Sequence, residues 1–137
     1  MVTIVDSNVL VDLAVRDCAW HGWSKGHVFL AFKRGAVVIN PIIYAEFSMR
    51  YRDIEEVDRL LPPDEFHRES LPWTAGFAAA AAFRLYRKSG GGRDRMLPDF
   101  LIGAHAAVRG YSVLTRDPKS YRTYFPSIDL ISPETHP

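Results

Sequence analysis

Four carboxylates in this sequence stand where they could share one task. Asp6 closes the apolar run VTIV, Glu46 lies within NPIIYAEF, and Asp99 and Asp117 sit at the two ends of PDFLIGAHAAVRGYSVLTRD, residues 98–117. Carboxylates gathered on one rim repel one another and raise each other's pKa values unless a cation lies between them. An all-oxygen donor set favours Mg²⁺, with Mn²⁺ as a substitute. Zinc is disfavoured because the chain has no cysteine cluster and no paired-histidine spacing. Acids holding one or two such ions make a site for hydrolysing phosphodiesters, because the ion orients a water, increases its acidity and stabilises charge on the leaving oxygen.

The elements must bring the acids together. Residues 98–109 predict a helix of roughly 18 Å at ~1.5 Å per residue. Residues 111–115 predict a strand of roughly 16 Å, and Gly110 turns the chain between them. The outward and return paths nearly cancel, so Asp99 and Asp117 finish at one edge. Met1 to Val5 and Ala36 to Asn40 read as further buried strands, each followed by a helical pattern, from about Asn8 to Val15 and from Pro41 through IIYAEFSMRY. Another helix is expected from about Trp20 to Arg34, stopped by Gly35, and Asp53 is placed to cap a short one over IEEVDRLL. Alanine-rich Trp73 to Lys88 predicts a helix packed closely on a neighbour. EFHRES fits no single pattern, SGGGR is a flexible break, PKSYRTYFPSI reads as a loop with a helical turn, and DLIS as a final strand. Alternating strands and helices predict an α/β domain with a central, mostly parallel sheet covered on both faces. In such sheets the functional crevice lies beyond the carboxyl ends of the strands. Asp6 and Asp117 follow strands, and Glu46 is long enough to lean back from about 7.5 Å into its helix toward the same edge.

The 137 residues fit one domain, 1–137, and 47% hydrophobic against 24% charged residues is an ordinary globular balance. A net charge of +1 neither requires nor excludes a polyanionic partner. Cys18, the only cysteine, excludes an intramolecular disulfide and fits a reducing compartment. VTIV lacks the flank and length of an export signal, and the longest apolar stretch, AGFAAAAAF, falls short of a membrane span, so a cytoplasmic location is expected.

Each acid also has a purely structural explanation. Asp99 could complement a helix dipole, Asp117 could open a turn before Pro118, and Asp6-Ser7-Asn8 could be an N-cap cluster. Glu46, among Ile42, Ile43, Tyr44 and Phe47, is harder to explain without a partner. His105 is expected to pack in the core between Ala104 and Ala106, and the spacing of His21 and His27 argues against a histidine metal site. Trp20, Trp23 and Trp73 could stack bases, although core or dimer packing accounts for them better.

The segments DSNVLVDL (6–13), INPIIYAE (39–46), PDFLIGAHA (98–106) and LTRD (114–117), in this order and at these separations, resemble the PIN-domain family. Within that family they are similar to the VapC ribonuclease toxins of bacterial type II toxin–antitoxin pairs. The resemblance covers nearly the whole chain. It implies a three-layer α/β/α sandwich, an acidic pocket binding Mg²⁺ or Mn²⁺, and endonucleolytic cleavage of RNA, with the family's acids falling on Asp6, Glu46, Asp99 and Asp117. It also implies supporting roles for Asn8 and Thr115, a homodimer, and a VapB-like antitoxin lying across the acidic pocket. Tyr121 departs from the phenylalanine frequent after the last acidic motif, a change expected to leave the metal site unaffected. Asp94, in the glycine-rich loop, rivals Asp99 as third acid but is less rigidly placed.

An acidic pocket needs basic flanks to attract a polyanion, and Arg93, Arg95 and Arg116 are the candidates. Water as nucleophile, in line with the departing 3′ oxygen, would leave a 5′ phosphate and a 3′ hydroxyl. A phosphatase of the haloacid-dehalogenase type would need an aspartate at position 8, where Asn8 stands. A receiver domain would need its acid after a middle strand, where Asn40-Pro41 stands. The remaining alternative is a non-catalytic RNA- or protein-binding module on the same fold.

Overall fold

Short β-branched runs become the strands of one sheet, and the stretches between them coil into helices that cover it. The structure, a computed structural model, describes residues 1–92 and 97–137. The chain opens with β1 (Thr3–Val5), α1 (Ser7–Ala14) and α2 (His21–Arg34), then β2 (Val37–Ile39), α3 (Pro41–Ser48) and α4 (Ile54–Leu60). It continues through β3 (Phe66–Arg68), α5 (Trp73–Lys88), α6 (Pro98–Arg109), β4 (Ser112–Leu114), α7 (Lys119–Tyr124) and β5 (Leu130–Ile131).

All strand pairs are parallel and their order is β3-β2-β1-β4-β5. Every residue of β1, β2 and β4 is buried, which a parallel sheet achieves only when helices cover both faces. The result is the expected three-layer α/β/α arrangement. Thr3 lies level with Val37 on one side and Ser112 on the other, so the carboxyl ends of β1, β2 and β4 are nearly flush.

Local chemistry explains several boundaries. Asn40 ends β2 and caps α3, its Oδ1 accepting from the Ile43 N–H at 3.0 Å, while Pro41 takes the first helical position, where a missing N–H costs nothing. Gly110 adopts φ 72° at the end of α6, a conformation glycine tolerates best. Asp53 occupies the cap position of α4, but contrary to expectation its side chain makes no capping bond. Helix α3 stops at Ser48 instead of running on to Tyr51. The unclassified EFHRES segment supplies the edge strand β3, of which only Phe66 is buried, too short a run for alternation to be read. The helical turn expected in the loop after Asp117 is the six-residue helix α7.

Ala75, Ala79 and Ala82 of α5 pack in one cluster with Phe100 and Ala104 of α6 and with Phe125, which is the close helix contact that the alanine pattern predicts. Gly103 matters in the same layer, because a Cβ there would lie 2.5 Å from the Phe125 ring. Among the described residues no helix is long and apolar enough to cross a membrane.

Candidate metal centre

The register of β1 against β4 pairs Val5 with Leu114, so the residues just beyond the two strands, Asp6 and Thr115, are neighbours across the sheet edge. Asp6 is 4% exposed. Its Oδ1 accepts from the Ser7 N–H at 2.7 Å, and its Oδ2 accepts from the Thr115 hydroxyl at 2.8 Å and the Tyr121 hydroxyl at 3.0 Å. Asp6 therefore does act as the N-cap of α1, and that role coexists with its place among the acids.

Asn8 and Thr115 form the support behind it. The Thr115 hydroxyl accepts from Asn8 Nδ2 at 3.4 Å and from the Asp117 N–H at 3.1 Å. With both lone pairs engaged, its own proton is left for Asp6. Asn8 Oδ1 accepts from the Arg116 N–H at 3.2 Å, so Asn8 braces the segment after β4 and reaches Asp6 only through Thr115.

Glu46 leans back from α3, as its length allows, and its Oε1 accepts from the Ser7 hydroxyl at 3.0 Å. Asp99 stands half-buried in the first turn of α6, and Asp117 is exposed on the loop beyond β4. Burial, then the charges of Asp6, Glu46 and Asp117, push the Asp99 carboxyl up to about 7. Burial also raises Asp6, with the charge of Asp117 adding to it, against the opposing effect of its three hydrogen bonds. Glu46 is raised by burial and by Asp6. The structure thus brings the four acids within reach of one another's charge. Among the described residues, however, no three acids, histidines or cysteines are already closed around one point as a bound metal would require. A carboxylate cluster in which burial and then neighbouring charge raise Asp6, Glu46 and Asp99 is the donor chemistry a hard divalent cation fits.

The other candidate residues fare differently. Arg93, Arg95 and Asp94 lie outside the described residues. Arg116, expected to steer RNA, is committed elsewhere. Its Nε and Nη2 donate to Asp12 Oδ2 and Oδ1 at 2.6 and 3.1 Å, and its guanidinium lies 5.6 Å from the centre of the Trp20 ring. Asp12, on α1, also accepts from the Ser24 hydroxyl of α2 at 2.6 Å. This ion pair ties the LTRD segment to two helices. Arg116→Ala should therefore cost about 2 kcal/mol, because it strands the buried carboxylate of Asp12 while the partly exposed arginine limits the loss. Urea unfolding monitored by circular dichroism measures it, and a cost below about 0.5 kcal/mol would show that the pair contributes little.

His105 is buried as expected but is not an apolar filler. Its Nδ1 accepts from Asn40 Nδ2 at 3.0 Å and its Nε2–H donates to Glu69 Oε1 at 2.9 Å. Glu69 also accepts from the Tyr111 hydroxyl at 2.8 Å. The network joins α6, which carries Asp99, to the cap of α3, which carries Glu46. Trp23 donates to the His136 carbonyl at 2.7 Å, whereas Trp73 is 97% exposed. The expectation that a tyrosine in place of phenylalanine at position 121 leaves the metal site unaffected is corrected, because the Tyr121 hydroxyl donates to Asp6 Oδ2.

Sequence reasoning missed the contacts of Ser7 with Glu46, Asp12 with Arg116, Glu69 with His105 and Tyr121 with Asp6. Ser7 directly follows an acid and Asp12 sits in an otherwise apolar helix, which are usable signals. Nothing local pairs Glu69 with position 105 or Tyr121 with position 6.

A family model described as PIN domain matches residues 3–126. No curated protein matches the chain in sequence. Among solved structures, VapBC2 from Rickettsia felis bound to a promoter DNA fragment is similar with a TM-score of 0.75 at 16% identity, over 96% of this chain and 98% of that one. VapBC-1 from nontypeable Haemophilus influenzae gives 0.72 at 14% identity over the same shares. FitAcB from Neisseria gonorrhoeae gives 0.64 at 18% identity, again over 96% and 98%.

Proposed function

The chain belongs to the PIN domain family, whose members are generally nucleases, and from that premise we propose that it is a metal-dependent endoribonuclease, the toxin of a VapBC-type pair. The observation that carries this reading is the convergence of Asp6, Glu46, Asp99 and Asp117 on one sheet edge, where burial and then neighbouring charge raise the pKa values of Asp6, Glu46 and Asp99. Asp6, Glu46 and Asp99 would hold Mg²⁺ or Mn²⁺, with Asp117 contributing from the rim. When bound, the ion supplies an activated water and charge stabilisation at the phosphodiester.

The chain's own residues do the rest. Ser7 fixes Asp6 and Glu46, Thr115 fixes Asp6, and Asn8 with the Asp12–Arg116 pair holds the loop that carries Asp117. Products would bear a 5′ phosphate and a 3′ hydroxyl. The structural neighbours are toxin–antitoxin complexes, which supports a VapB-like antitoxin lying over the acidic pocket. Trp73 and Phe77, 97% and 75% exposed and one turn apart on α5, support an interface of the homodimer kind. The working unit is one domain, 1–137, acting in the cytoplasm.

The test is incubation of purified chain with structured RNA, with Mg²⁺ or Mn²⁺ and with EDTA. Cleavage should require the ion, stop in EDTA and return with Mn²⁺. RNA binding without cleavage would instead indicate a non-catalytic module, and cleavage unaffected by EDTA would point to different chemistry.

A further inference from the structure

The segment after Asp117 coils into α7, and its docking is unusually close. Phe125, just past the end of α7, lies against Gly103 of α6, where any larger residue would collide with the ring. Tyr121 is four residues earlier and therefore on the same face. It is fully buried, and this approach carries its hydroxyl to Oδ2 of Asp6. Thr115 donates to the same oxygen, and the Ser7 N–H takes one position on Oδ1.

A carboxylate has roughly four acceptor positions, two on each oxygen. Both positions on Oδ2 are filled by hydroxyls, and one on Oδ1 is filled by an amide. We infer that Tyr121 is a positioning residue for the metal centre, its hydroxyl and that of Thr115 together saturating Oδ2 of Asp6 so that Oδ1 alone is presented to a cation. The inference rests on the metal-centre reading above and assigns to this chain's tyrosine a task that a phenylalanine at the same position could not perform. Groups that orient a ligand from behind usually influence metal affinity about 10- to 100-fold when removed.

The test is Tyr121→Phe, which keeps the buried ring and deletes only the donor. Calorimetric titration with Mn²⁺ should show affinity weakened about tenfold. The Mn²⁺ concentration giving half-maximal RNA cleavage should rise by the same factor, while the rate at saturating Mn²⁺ stays within about threefold. Equal Mn²⁺ affinity in the two proteins would reduce Tyr121 to packing and overturn the inference while leaving the metal centre intact. No uptake of Mn²⁺ by the unmodified chain would overturn both. A second readout needs no substitution: saturation of the unmodified chain with Mg²⁺ should shift the near-ultraviolet absorption of a buried tyrosine, and binding without such a shift also overturns the inference.

Discussion

Asp99→Asn is expected to lower metal-dependent RNA cleavage at least about 100-fold and, in the same molecule, to make the metal-free fold more stable. The two effects have one cause. Asp99 is driven up to about 7 by burial and by the charges of Asp6, Glu46 and Asp117, so above neutral pH its ionised form is held at a cost. At about 1.4 kcal/mol per pKa unit, and allowing for water's access to a half-buried carboxyl, that cost is on the order of 2 kcal/mol. Asparagine is close in shape and carries no charge, so the repulsion disappears together with the ligand. Sites that store such strain commonly exchange stability for activity. Cleavage assays in Mn²⁺ and thermal unfolding in EDTA at pH 8 measure the two halves. A variant that cuts within tenfold of the original, or one less stable than it, would remove Asp99 from the centre.

A pH dependence follows from the same carboxyl, with the opposite sign to that of an ion-paired aspartate. The folded-state pKa of Asp99 lies above its unfolded value, so its stabilising contribution is complete below about pH 4 and is lost as the pH climbs through about 7. The metal-free protein should accordingly lose stability between about pH 4 and 7 and level off above, and added Mn²⁺ should restore it. Ion and proton compete for one carboxyl in that window. The apparent Mn²⁺ affinity should therefore rise nearly tenfold per pH unit from about 5 to 7 and then flatten, with close to one proton released per ion below pH 7. Titration calorimetry in two buffers of different ionisation enthalpy counts that proton. An affinity unchanged between pH 5.5 and 7.5 would contradict a protonated Asp99 in the free centre.

Much of the scaffold could be read from local residues. Pro41 at the start of α3, Gly110 at the end of α6 and the alanine face of α5 each carry a backbone or packing preference that acts within a few residues, and each appears where that preference places it. Edge strand β3 escaped because three residues with one buried side chain leave no period to detect. Helix α7 was read as no more than a helical turn in a loop because six residues carry too little propensity to announce a helix, and its face is set by Gly103 on another element.

The candidate acids were legible because strand–helix alternation and a parallel sheet force the residues after successive strands to a common edge, whatever the details of packing. Side-chain commitments were not. Arg116 looked free for RNA and is bound to Asp12, His105 looked apolar and bridges Asn40 to Glu69, and Tyr121 looked incidental and holds Asp6. Those pairings span 36 to 115 positions of chain. The sequence by itself thus determined the central strands, the longer helices and which acids would lie within reach of one another's charge, because propensity, capping and sheet topology act locally or through connectivity. Only the tertiary structure decided how each acid is held, because a hydrogen bond takes whichever donor the folded chain delivers to within about 3 Å.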